Sequence, residues 1–256
     1  MLSPVFFSIK SKRNLLMDLL QKITDFLQSI QVSFEKTFIL QNRYKDFLTG
    51  IGNTISISLV AVLVGVLIGI LVAVIKVMHK QSGGKLKIPN FIAELYTTVI
   101  RGTPVALQLL IIYNIAMGSS RNAFIGCVIG FGLNSGAYVA EIIRAGILAV
   151  DQGQTEAGRS LGLSQFSTML HIVLPQALKN ILPALGNEFI ALIKETSVAS
   201  YIGVMDLTKA ANRVLTTTGE VYFTLISSAL VYLALVYGLS ALIKRMERKL
   251  ARSDRS

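Results

Sequence analysis

Four runs of this chain carry no charged residue over lengths close to a bilayer crossing: residues 54–75, 102–120, 122–140 and 221–243. A helix rises about 1.5 Å per residue, so about 20 apolar residues cross the hydrocarbon layer. A fifth stretch, residues 183–202, is interrupted by Glu188, Lys194 and Glu195 and is read as a span as well. Composition agrees. Only 15% of the residues are charged and 52% are hydrophobic, with a mean hydropathy of +0.61. A soluble domain of this size carries about 25% charged residues. The expected fold class is all-α: a polytopic membrane bundle of five transmembrane helices. The expected spans are residues 54–76, 89–117, 122–143, 183–203 and 221–243. They lie in a membrane domain of residues 51–245, followed by a basic tail of residues 246–256.

The net charge of +11 follows from topology, not from nucleic acid. With the N-terminus outside, the inner segments hold Lys76, Lys80, Lys85 and Lys87, then Arg144, Arg159 and Lys179, then Lys244, Arg245, Arg248, Lys249, Arg252 and Arg255. The outer loops hold only Arg121, Lys209 and Arg213. Basic residues favour the inner side, so the expectation is N-out and C-in. The basic residues of the N-terminal tail oppose this choice, but only Arg43 and Lys45 lie close to the first span. The loop of residues 150–176 then faces the inside.

Residues 1–50 form a separate amphipathic, interfacial region. Leu16, Leu20, Ile23, Leu27, Ile30 and Phe34 recur at helical spacing, opposite Asp18, Gln21, Lys22, Asp25 and Gln28. Such a helix lies on a membrane surface or packs on a partner subunit. Gly65 and Gly69, Gly126 and Gly130, and Gly132 and Gly136 are spaced for close helix contact in lipid. Cys127 has no second cysteine to pair with, and no Cys, His and Asp cluster has metal-ligand spacing.

The polar segment TEAGRSLGLSQFSTMLHIVLP, residues 155–175, reads as two short helices. Gln154 to Leu161 forms the first and Gly162 stops it. Ser164 caps the second. Pro175 is expected to break the ladder and re-aim the chain, and Pro183 to open the fourth span. A protruding helix pair is suited to dock in a groove of another protein.

Glu156-Ala157-Gly158, then Gly162, Ile172, Leu174 and Pro175 at their spacings, resemble the EAA signature of membrane subunits of binding-protein-dependent ABC importers. The departure is Gly158, where alanine is usual; glycine there costs on the order of 1 kcal/mol of helix stability and is expected to loosen the loop. The stretches RGTPVALQLLIIY (101–113), LNSGAYVAEIIRAGI (133–147), GQTEAGRSLG (153–162), LPQALKNILPALGNEFIALIKETS (174–197) and the closing RMERKL resemble the subfamily that imports polar amino acids of the histidine, glutamine and arginine type. The likeness covers about residues 45–250. It implies a multi-pass protein of a prokaryotic cell membrane. It also implies a second permease subunit, identical or homologous, cytoplasmic ABC ATPase subunits that receive the EAA helices, and an extracytoplasmic amino-acid-binding protein. ATP and Mg would bind the ATPase partner. No cofactor and no catalytic residue is expected in this chain, which has no phosphate loop: Gly84-Lys85 is followed by Leu86, not by a hydroxyl.

Charged groups within spans face cavities or partners. Counted along straight helices, Arg101, Asn134 and Lys194 each lie roughly 17–18 Å deep, near the midplane. Glu94, Glu141 and Glu188 form a layer closer to the inside. Gly102 and Pro104 weaken the ladder beside Arg101, so the second span is expected to break there, with Thr103 as cap and Pro104 opening a half-helix. Arg101 and this break would hold a substrate carboxylate; alternatively Arg101 pairs with Glu188 or Glu195. Asn134 and Lys194 are further candidates for the substrate path. A channel or secondary transporter would need no ATPase and would leave the EAA segment without a purpose, and a membrane enzyme lacks a recognisable catalytic cluster.

Overall fold

The computed structural model describes residues 4–118 and 122–252, with side chains from Asn14 to Leu250. Arg121 and Arg255, which entered the charge comparison, lie outside the described residues, as does the end of the basic tail. The described chain is helical, with no strand among the described residues.

Helix α1, Pro4–Phe34, passes through a π-turn at Glu35–Ile39 and a short 3₁₀ turn at Leu40–Asn42. Gln41 and Asn42 have φ of 57° and 56°, a left-handed pair that reverses the chain into α2, Tyr44–Gln81. Then follow α3, Lys87–Gly102, and α4, Val105–Ile111, which is extended by a π-turn to Ala116. Helix α5 is Ala123–Leu148 and α6 is Gln152–Ser160. Helix α7, Gln165–Thr168, runs through a π-turn, Met169–Val173, into α8, Leu174–Glu195. A 3₁₀ segment, Thr196–Ile202, leads to α9, Leu207–Thr218, and α10, Val221–Arg252.

Among the described residues three helices are long and apolar enough to cross a membrane: α2, α5 and α10. Helices α3 and α4 meet at 110° and count as a fourth crossing if taken together. Helix α8 does not reach that apolarity, because Lys179, Glu188, Lys194 and Glu195 lie along it.

The centre of the bundle is the crossing of α2 and α5. A Cβ on Gly65 would stand 2.8 Å from Ser135 Cβ, and one on Gly132 would stand 2.8 Å from Val64 Cγ1. Each helix thus presents its small residues to the other's side chains, which lets the backbones approach. Gly126 and Gly130 face Tyr113 and Leu109 of the bent segment in the same way. Ile57, Ala61, Leu109, Cys127, Phe131 and Leu192 close the core around this crossing. The far end of α2 holds the start of α9. Asn53 Nδ2 donates to Met205 O at 2.8 Å, and Leu207 N donates to Thr54 Oγ1 at 3.3 Å. Asp206 caps α9 through Thr208 N and Lys209 N.

Candidate functional site

The segment between α5 and α8 folds from its own capping residues. Asp151 caps α6 by accepting from Gly153 N at 2.6 Å. At the other end Gly162 has φ +84°. Its N–H donates to Arg159 O at 3.0 Å, and Leu163 N donates to Gly158 O at 3.1 Å. These two bonds are the Schellman pair that satisfies the last carbonyls of a helix. Ser164 then accepts from Ser167 N at 3.1 Å and starts α7. So the stop at Gly162 and the cap at Ser164 stand where the sequence put them.

Gly158 is a correction. A glycine in a helix is expected to loosen it, but Gly158 is buried, and a Cβ there would stand 2.8 Å from both Thr168 Cγ2 and Ile172 Cδ1. The missing side chain lets α6 seat tightly on α7 and the π-turn. The prolines are a second correction. Thr168, Val173 and Leu174 all have right-handed helical backbone, so α7 continues into α8 without a break. Pro175 falls in the first turn of α8, and Pro183 lies inside that helix instead of opening it. The π-turn widens the ladder just before Pro175, where a missing N–H is tolerated.

Glu156 and Ala157 are exposed on α6, Ile172 and Leu174 are half-buried, and Pro175 is exposed. Two neighbours that the motif does not include are the most exposed apolar side chains of the loop: Leu161 at 82% and Phe166 at 76%. They flank the Gly162 stop. Exposed large apolar groups on a capped, rigid corner are the form a docking surface takes.

The break in the bent segment stands at Thr103-Pro104, but its fastening is different from the expected one. Thr103 caps nothing; its hydroxyl donates back to Val99 O at 2.8 Å. Pro104 is the N-cap and Val105 the first residue of α4. The staple is Gln108, which sequence reasoning missed. Its Nε2 donates to Ile100 O at 2.7 Å and to Thr103 O and Oγ1 at 3.0 and 2.8 Å. Asn134, buried on α5, donates to Gln108 Oε1 at 3.0 Å. Asn134 is therefore tied to the break, not open to a cavity. Arg101 is exposed, with its guanidinium carbon 5.3 Å from the Tyr138 ring centroid. Among the described residues it is in no ion pair with Glu188 or Glu195. Lys194 is exposed and Glu188 half-buried, on different sides of α8. In the layer of acids, Glu141 pairs with Arg144, and Glu94 accepts from Asn90 at 2.9 Å. Lys76 reaches across to Thr97 Oγ1 at 2.8 Å. No group of three or more His, Cys, Asp or Glu side chains among the described residues is arranged to hold a metal.

Residues 65–252, which include the helical loop and the broken helix, match the family described as the binding-protein-dependent transport system inner membrane component. This chain belongs to that family. A Rickettsia bellii protein named as a glutamine transport system permease is 44% identical over 200 residues, covering 77% of this chain and 89% of that protein. The arginine transport system permease of Bacillus subtilis is 43% identical over 167 residues, 64% of this chain and 76% of that one. The solved structure of an amino acid ABC transporter with histidines aligns at a TM-score of 0.76 and 42% identity, covering 83% of this chain and 98% of that chain. The permease is thus the transmembrane subunit of an ABC importer, an all-α membrane protein. The matched region begins at Gly65, so α1 and the first part of α2 lie outside it.

Proposed function

We propose that the permease forms the path for ATP-driven uptake of a polar amino acid across the cell membrane of a prokaryote. The relatives named for glutamine and arginine support the substrate class. In this reading the chain crosses the membrane five times with its N-terminus outside, α8 being the fourth crossing and the bent pair α3–α4 the second. Residues 1–50 form an interfacial region, residues 51–245 the permease domain, and residues 246–256 a cytoplasmic basic tail. The loop of residues 150–176 faces the cytoplasm.

The observation that carries the reading is the capped corner at Gly162. It is rigid, protruding and tipped by Leu161 and Phe166. Its role is to seat in a groove of a cytoplasmic ABC ATPase, which binds ATP and Mg. Glu156, Ala157, Gly158, Gly162, Ile172, Leu174 and Pro175 give the corner its shape; Leu161 and Phe166 are its anchors. Two ATPase subunits, a second permease subunit and an extracytoplasmic amino-acid-binding protein complete the machine. Closure of the ATPase pair on ATP moves the corner and the helices rock to alternating access.

Arg101 is the candidate for the substrate carboxylate, held in place by Tyr138 rather than by a buried acid. Lys194 and Glu188 are candidates along the same path. Asn134 and Thr103 serve it by holding the break together. The test is co-purification and substrate-stimulated ATPase activity of the reconstituted complex, with Phe166→Asp and Arg101→Gln variants. Phe166→Asp is expected to lose the ATPase, and Arg101→Gln to keep it but lose stimulation. A permease that never retains an ATPase sinks the importer mechanism, and normal stimulation of Arg101→Gln sinks the carboxylate role.

A further inference from the structure

Helix α1 has no role in the path described above. Every residue from Asn14 to Val32 is exposed. At about 100° per residue, Leu19, Leu20, Ile23, Phe26, Leu27 and Ile30 fall within an arc of about 120° that no polar residue of this stretch enters. Their exposures run from 39% to 63%. The opposite face bonds along itself. Lys22 pairs with Asp18 at 2.7 Å, Gln21 donates to Asp25 at 3.0 Å, and Gln31 donates to Glu35 at 3.1 Å. Asp18, Lys22 and Asp25 within about two turns make α1 too polar to cross a bilayer.

The end of α1 is firmly held. Ser33 Oγ and Lys36 Nζ both donate to Glu220, each at 2.9 Å. Thr37, fully buried, meets Thr224 at 3.5 Å between hydroxyls. Phe38 packs between Phe34 and Phe47, with Phe223 at its edge. Glu220 is the residue just before the apolar run of α10. The clamp therefore fixes the end of α1 at the level where α10 leaves water.

We propose that α1 is an interfacial helix that lies on the outer leaflet with its apolar arc in lipid, tethering the α9–α10 corner to the membrane surface. Two observations choose lipid over a second protein. The arc is wider than the two-position seam of a helix pair. It starts from the clamp, which sits just before the apolar run of α10 begins at Val221, so its base lies at the level of the membrane surface. The choice of leaflet rests on the N-out orientation proposed above.

The test uses the reconstituted complex in vesicles, with single cysteines on the apolar arc (Ile23→Cys, Phe26→Cys, Leu27→Cys) and on the polar face (Gln21→Cys, Gln28→Cys). Cys127 is buried, so the unaltered chain is the control for labelling. Nitroxides on the arc are expected to collide severalfold more with oxygen, which partitions into lipid, than with an aqueous nickel chelate. Those on the polar face are expected to show the reverse. Arc positions shielded from both reagents, or broadened by a second label, would mean a protein partner and overturn the proposal; arc positions open to the nickel chelate would also overturn it. In whole cells Gln28→Cys should react with an impermeant thiol reagent, and reaction only after permeabilisation rejects the outer leaflet. ATP-driven uptake is measured on the same vesicles. Intact uptake with shielded arc labels rejects the placement of α1 alone; absent uptake with lipid-facing labels rejects the importer reading alone.

Discussion

Gly162 is needed for its backbone, not for its size. Nothing lies within 4 Å of where its Cβ would be, yet its φ of +84° is one that a side chain disfavours by about 1–2 kcal/mol. Gly162→Val should therefore bend the corner and weaken ATPase retention, while Gly162→Asn should be milder because asparagine visits this conformation; pull-down of the ATPase with each variant reads the difference. Gly158 is the opposite case. Its backbone is helical, and space is what it lacks. Gly158→Ala gains about 1 kcal/mol of helix propensity and sets it against the Thr168 and Ile172 contacts, so its thermal stability should stay near that of the parent. Gly158→Val should lift α6 from α7 and lower both stability and ATPase retention. The two glycines look alike on the page of a sequence. Capping signals around Gly162 betray its turn, whereas the crowding at Gly158 exists only after α6 has folded back on α7.

At the level of elements, the break between α3 and α4 was legible and its staple was not. Gly102 and Pro104 announce a kink because neither supports a helix ladder. Gln108 is one polar residue in an apolar half-helix, and only the fold turns its amide back on Ile100 and Thr103. Gln108→Glu keeps the acceptor for Asn134 but removes the donor that serves three oxygens. It should cost about 1–3 kcal/mol, seen as a lower unfolding temperature in detergent. A double-mutant cycle of Gln108→Ala with Asn134→Ala should give strong coupling, since the two form one network. The glycines of α2 and α5 were legible as contact positions, and the contact proved reciprocal. The prolines were misread for a physical reason: a π-turn absorbs the missing N–H of Pro175, and such a turn leaves no mark in residue type.

On the scale of the whole molecule, the clamp at Glu220 joins the segment outside the family match to the bundle. Hydrogen bonds from Lys36 and Ser33 hold the Glu220 carboxyl below its ordinary range. A depressed carboxyl contributes stability above its unfolded value, about pH 4.3, and loses it as pH falls through the lower folded value. Acidification below that range should therefore loosen the hold of α10 on the end of α1, followed as a broadened distance between spin labels on the two helices, while Thr37 and the Phe38 cluster keep their contacts. Glu220→Gln should abolish the acid step and leave the distance broader at neutral pH. The apolar runs mark the chain as a helical membrane protein, and residues 183–202 read as a span despite their charges, but the start of α8 at Leu174, upstream of Pro183, left no apolar signal. The continuity of α7 with α8 has a mechanical meaning. From Gln165 to Glu195 the backbone is one rod that reaches from the docking corner to the level of Lys194. Pro183, with no N–H to give the ladder, is its natural fulcrum, dividing it into arms of about 27 and about 18 Å. If the corner docks as proposed, a push on it would return at the level of Lys194 reversed in direction and reduced by about a third, the motion of a first-class lever with the membrane interior as its load.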